Sequence, residues 1–184
     1  MLSIRPAKRR DVSQIASLFD GAREFMRSTG NESQWPNCYP TEEDARIDTM
    51  RGCQFVCLDG DEIVGCLSLV PGPDTTYLKI EDGDWLNDMP YFVVHRIAAK
   101  YQGRGIGSFM MSWACQSADN VRTDTHEKNA PMRGLLESIG FKPCGTVFVE
   151  DGTPRIAYHY VRPGSKEKGG FLDWLPWRKS GLTR

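Results

Sequence analysis

The stretch Gln102-Gly103-Arg104-Gly105-Ile106-Gly107-Ser108 carries this chain's clearest chemical signal. It follows an apolar, β-branched run, Tyr91 to Ala98 (YFVVHRIA), and leads into a helical pattern. Closely spaced glycines carry no Cβ, so backbone N–H groups can approach a ligand there. The helix behind them adds unpaired N–H groups and the positive end of its dipole. Strand, glycine turn and helix together hold an anion, usually a phosphate. Lys100 and Arg104 are placed to add charge at the rim. The bland alternative is a tight strand-to-helix turn with no ligand.

A second set of residues suits proton chemistry. Alternation along a strand puts Tyr91, Val93 and His95 on one face. An imidazole ordinarily titrates near about 6.5, which suits a general base at neutral pH. A satisfied core side chain is the other reading of His95. His126 is expected to bond locally with Asp124, and His159 to be structural.

Other phosphate and metal motifs fit poorly. The dinucleotide pattern G-x-G-x-x-G places Gly103 and Gly105 but fails at Ser108, and the chain after its candidate acid, Asp124, is too short for a doubly wound sheet. H-E-x-x-H, G-x-S-x-G and G-x-x-x-x-G-K-[ST] are absent. Six cysteines show no C-x-x-C pair and no His spaced for zinc, so no metal is expected and the thiols read as reduced and structural.

The elements that must position these residues follow from periodicity. A short strand spans Ser3 to Pro6. Asp11 with Gln14 reads as a capping box for a helix burying Val12, Ile15, Phe19 and Met26. A loop, Gly30 to Pro40, holds Trp35 and Tyr39. Thr41 followed by Glu42, Glu43 and Asp44 opens a shorter helix. Strands at Gln54 to Leu58 and Ile63 to Val70 flank Asp59-Gly60-Asp61, and a further extended piece is expected at Tyr77 to Glu81. After the glycine turn come a helix, a strand at Val121 to Thr125, and a helix capped by Asn129 and ended by Gly140. A final hairpin, Phe141 to Val149 and Arg155 to Val161, closes the pattern.

Composition bounds the rest. With 184 residues, 23 Lys plus Arg and 24 Asp plus Glu, the chain reads as one domain (1–162) with an appendage and no field for nucleic acid. The longest apolar run, Ile63 to Val70, is far short of the roughly 20 residues that span a bilayer. The N-terminus lacks the apolar stretch of a signal peptide, so a cytoplasmic location and no membrane partner are expected. The tail, 163–184, carries Phe171, Trp174 and Trp177 and is expected to pack on the domain or on a second subunit, which would make a homodimer.

The spacing Q-x-x-G-x-G, here Gln102, Gly105 and Gly107, resembles the acetyl-CoA signature of the GNAT N-acetyltransferase superfamily. The element order is similar from Ser3 to Val161, most specifically from Tyr91 to Phe141. His95 to Ala98, Asp124 to His126, Asn129 and Met132 resemble a subgroup of small bacterial members. The resemblance implies an α/β (α+β) fold, with a mixed, mostly antiparallel sheet flanked by helices and a splayed signature strand. It implies that the backbone of Ile97, Ala98 and Ala99 pairs with the pantetheine arm. The pyrophosphate would sit on the amides of Gln102, Gly103, Arg104, Gly105, Ile106, Gly107 and Ser108, and Asn129 would contact the cofactor.

The implied function is transfer of acetyl from acetyl-CoA to an amine, a small molecule being favoured, by direct attack on the thioester. Either His95 or Tyr91 would be the base, with a backbone N–H near His95 as oxyanion donor. The family's leaving-group acid, a Tyr four residues before the Gly-Phe pair, is replaced by Leu136. That departure supports an alternative, a non-catalytic acyl-CoA-binding sensor. The acceptor wall is expected at Trp35 and Tyr39, with Asp84 of the acidic stretch 81–88 drawing in a cationic amine.

Overall fold

Seven strands lie in one sheet of the computed structural model in the order β1-β2-β3-β4-β5-β7-β6. They are β1 (Leu2–Pro6), β2 (Gln54–Asp59), β3 (Glu62–Pro71), β4 (Phe92–Ala99), β5 (Asn120–Thr125), β6 (Lys142–Phe148) and β7 (Pro154–Val161). Every neighbouring pair is antiparallel except β4–β5. The structure describes residues 1–36 and 38–165. From residue 166 on, the Trp-rich tail expected to pack on the domain or a second subunit lies outside the described residues.

Helices α1 (Val12–Ser28) and α2 (Glu42–Met50) cover one face; α3 (Ile106–Ser117) and α4 (Ala130–Ile139) cover the other. Ile15, Phe19, Ala22 and Met26 recur at helical spacing on α1 and bury against Val56, Cys66 and Ala98 of the sheet. On the opposite face Ile106, Met110 and Ala114 of α3 meet Leu67, Leu69, Phe92 and Val94. Thr41 closes a capping box with Asp44 at the start of α2. Asn129 accepts from the Met132 amide at the start of α4, and Gly140, at φ +104°, ends that helix.

Two local expectations are corrected. The Asp11 side chain does not cap α1; its carboxylate takes the Arg5 guanidinium at 2.6 Å and the Lys8 amide at 2.7 Å, closing a 3-10 turn instead. A charged partner outcompetes the helix amide. The segment expected to extend over Tyr77 to Glu81 is a 3-10 turn at Thr75–Tyr77 followed by a single bridge between Glu81 and Thr146. Asp74 caps that turn by accepting from the Thr76 amide.

The sheet opens at its centre. β4 and β5 pair only at Phe92–Val121 and Val93–Arg122. Thr123 Oγ1 then donates to the Val94 carbonyl at 2.9 Å, and beyond that the strands part. On its other edge β4 carries a bulge: Ser68 faces His95 and Cys66 faces Ala98, so Arg96 and Ile97 share Leu67. Arg96 sits at φ +50°. The extra residue reverses the alternation, sending Phe92 and Val94 to the α3 side but Ala98 to the α1 side.

Candidate active site

A cavity of about 890 Å³ fills the opening between β4 and β5. His95, Ile97, Ala98 and Ala99 line it from β4, and Thr123 and Asp124 from β5. Gln102 and Gly107 line one end; Trp35, Tyr39, Asp74 and Thr76 line it elsewhere.

The glycine turn has the form a phosphate requires. Gly103 and Gly105 both take φ +73°, and a Cβ on either would meet open space, so nothing in the protein fills the cradle. Gly105 precedes α3, whose first bond to it runs from the Phe109 amide to the Gly105 carbonyl. The amides of Ile106, Gly107 and Ser108 therefore lead the helix without intrahelical acceptors. Gly107 has a different reason to be glycine: a Cβ there would lie 2.9 Å from Leu135 of α4. Arg104 stacks over Tyr101 at 4.7 Å, beside the turn. Lys100, expected at the same rim, is instead held by Glu62 at 2.5 Å.

Proton-handling groups gather where the strands part. His95 Nε2 lies 2.9 Å from Asp74 Oδ2, and this hydrogen bond holds the Asp74 carboxyl below its ordinary range. Burial pushes the Asp124 carboxyl up, against the opposing pull of His95, Tyr77 and Arg155. Tyr77, whose buried phenol is raised well above its usual value, donates to Asp124 Oδ2 at 2.7 Å. The cavity thus offers an imidazole fixed at one nitrogen by a carboxylate. That arrangement can take a proton from a nucleophile.

Several expected residues fall elsewhere. Tyr91 does not line the cavity: it is 9 % exposed, its hydroxyl accepts from the Asp74 amide, and its ring lies under Arg122 at 3.9 Å. It supports Asp74 from behind the cavity wall. Asp84 is exposed on its loop and is not among the cavity's walls. His126 meets Ser33 Oγ at 3.2 Å, not Asp124, which is engaged by Tyr77. His159 is fully buried, and burial drives its imidazole down to about 3, consistent with a structural place. Leu136 is fully buried in the core.

The sequence reading missed Asp74, Arg96 and Gln34. Gln34 Oε1 accepts from Asn129 Nδ2 at 2.8 Å and from Asn31 Nδ2 at 2.8 Å, tying the loop before α2 to the start of α4. No motif marks Asp74 or Gln34, and Arg96, though inside the His95 to Ala98 run, shows its pairing with Asp48 only in the assembled fold.

The Acetyltransferase (GNAT) family model matches residues 17–141. The chain belongs to the GNAT acetyltransferase family. Among solved structures, a GNAT-family acetyltransferase from Streptococcus agalactiae is 30 % identical with a TM-score of 0.80, covering 88 % of this chain and 95 % of that one. A GNAT-family acetyltransferase from Listeria monocytogenes is 18 % identical with a TM-score of 0.65, over 88 % and 95 % of the two chains. A chain of the NatC complex bound to Gag peptide and CoA shares the fold at 14 % identity and a TM-score of 0.57, over 88 % and 98 %. No curated protein matches the chain. GNAT proteins use acetyl-CoA, and the residues here fit it: an open glycine cradle for the pyrophosphate and, from residue 94 on, a β4 edge no longer laddered to β5. Among the described residues no helix is long and apolar enough to cross a membrane, and no group of His, Cys, Asp and Glu could hold a metal ion.

Proposed function

We propose that this GNAT acetyltransferase moves acetyl from acetyl-CoA to the nitrogen of a small-molecule amine by direct attack on the thioester. The observation that carries the reading is the His95–Asp74 pair on the wall of the cavity that the parted strands create. The pantetheine arm adds to the exposed edge of β4 at Ile97, Ala98 and Ala99, as a strand would. Residues 102–108 and the start of α3 take the pyrophosphate.

An alkylammonium, with a pKa near about 10.4, must lose a proton before it attacks. With Asp74 accepting from Nε2–H, Nδ1 of His95 carries the lone pair that takes it. The nitrogen bonds to the thioester carbon, the oxyanion is met by a backbone N–H in the β4 bulge, and the C–S bond breaks with its electrons on sulfur. Asn129, Pro131, Met132 and Leu135 are what α4 presents to the cavity, so the helix brings no acid. Coenzyme A leaves as thiolate, and the second amine proton, shed as the amide forms, neutralises it directly or through water. Trp35, Tyr39 and Phe25 wall the cavity on the side of α1 and suit an acceptor of small size.

A second reading, an acyl-CoA sensor, draws on Leu136, buried where the family's acid would stand. Free CoA measured with acetyl-CoA and a panel of primary amines separates the two. Amine-dependent release that His95→Gln lowers supports transfer; tight binding without release from any amine supports the sensor.

A further inference from the structure

The bulge in β4 is fastened by Arg96, itself on the cavity wall, to the buried Asp48 of α2. Arg96, a non-glycine residue at φ +50°, occupies a backbone region that a Cβ disfavours, so surrounding contacts must hold it there. Its Nε and Nη2 donate to Asp48 Oδ2 of α2 at 3.1 and 2.5 Å. Asp48 is 3 % exposed, and its Oδ2 also accepts from Ser68 Oγ at 2.5 Å, directly across the ladder from His95. The remaining arm of the guanidinium, Nη1, donates to the Tyr39 hydroxyl at 3.0 Å. Arg96 thus ties the bulge to α2 and to the loop that walls the cavity, and Asp48 extends the tie to β3.

We propose that Arg96, clamped by Asp48, is a positioning residue for acyl transfer. It fixes the backbone of residues 95–97 so that a bulge N–H meets the thioester oxygen and His95 keeps its aim. The proposal rests on the acetyl-CoA reading above but not on the acceptor. Of the backbone that takes the cofactor, Ala98, Ala99 and the cradle at residues 102–108 lie beyond the clamped stretch, and only Ile97 falls within it. Losing the clamp should therefore loosen the bulge, lower cofactor affinity only by the share held at Ile97, and leave the cradle's hold on the pyrophosphate intact.

The test uses acetyl-CoA labelled with carbon-13 at the thioester carbonyl, bound to the full chain. A hydrogen bond to the carbonyl oxygen moves that resonance from its free position. Arg96→Gly accepts φ +50° without strain but removes the clamp. Should the buried Asp48 charge then prevent folding, Asp48→Asn/Arg96→Gly removes it and carries the test. The expected result is a carbonyl resonance displaced in the wild type that returns toward its free position in the variants, with acetyl-CoA affinity near wild type. With an amine that turns over, kcat per folded enzyme should fall about 10- to 100-fold, the scale of a misplaced reacting group, while the KM for acetyl-CoA holds. A purely structural role would lower the melting temperature and leave the resonance and kcat alone. An unchanged resonance in folded variants, or none displaced in the wild type, overturns the proposal. A displaced wild-type resonance without CoA release from any amine removes the acceptor reading and leaves the clamp supported.

Discussion

Replacing Asp74 by Asn isolates the charge that orients His95. The Asn Oδ1 can still accept from the Thr76 amide, now at 2.9 Å, and the backbone N–H of residue 74 still reaches the Tyr91 hydroxyl. Only the carboxylate oxygen facing His95 Nε2 at 2.9 Å changes character, from acceptor to donor. The imidazole then favours Nδ1–H, and its basic nitrogen turns away from the amine. Hydrogen bonds to charged groups contribute about 1.5–3 kcal/mol, or about 10- to 150-fold in kcat at 1.4 kcal/mol per decade. His95→Gln should cost about 10²- to 10⁴-fold, the range for a lost general base. Steady-state kinetics with acetyl-CoA and an active amine reads both variants, and the KM for acetyl-CoA should hold. Asp74 also sets a pH dependence. Because its folded pKa is lowered, its ionised form stabilises the fold fully above the ordinary carboxylate value of about 3.9, and this is lost as pH falls through the lowered value. The melting temperature of Asp74→Asn should lack that acid-side loss. Wild-type kcat in folded Asp74→Asn would refute the orienting role and leave Nδ1 without its assigned lone pair.

Gly105→Val should abolish acetyl-CoA binding, read by calorimetry, while the chain still folds: the side chain meets open space in the protein, but the φ of +73° costs about 1–2 kcal/mol and the branch occupies the phosphate's place. Unchanged affinity would put the phosphates elsewhere. Asn129→Ala loses a helix cap to Met132 and a bond to Gln34, so about 1 kcal/mol, or roughly 2–4 °C in melting temperature, should disappear; no change would show the cap to be idle. In a thiol titration of the native protein, exposed Cys38 should react first, because burial raises the other thiols, Cys115 to about 12. Rapid reaction of all six would contradict the buried placement.

Much of the fold was legible because its signals are local. The Tyr91-to-Ala98 run, the glycine turn and the Asn129 cap each carry their geometry in adjacent residues, and the structure places β4, α3 and α4 within a residue or two of those readings. The cofactor half of the site inherits that legibility, since backbone amides make it. The chemistry at His95 was half legible. Alternation put His95 and Tyr91 on one face, but pattern alone could not tell the cavity wall from the packing behind it, where Arg122 covers Tyr91. Asp74 reaches His95 across 21 positions and Asp48 reaches Arg96 across 48, and no periodicity reports such pairings. The β4 bulge was hidden for the same reason. Arg96 has no turn-forming type, and its positive φ depends on contacts from α2 and the loop. Asp84 lies near the signature strand in sequence, but in space it is exposed to solvent and off the cavity wall, a separation that no local pattern reports.

A thermal-shift titration reads whether the parted strands and the glycine cradle hold acetyl-CoA. At 100 times its dissociation constant acetyl-CoA should stabilise the fold by about 2.7 kcal/mol, since it binds only the folded state. For a domain of this size that is roughly 5–10 °C in melting temperature, with little response to NAD at the same concentration. A shift with NAD and none with acetyl-CoA would contradict the account.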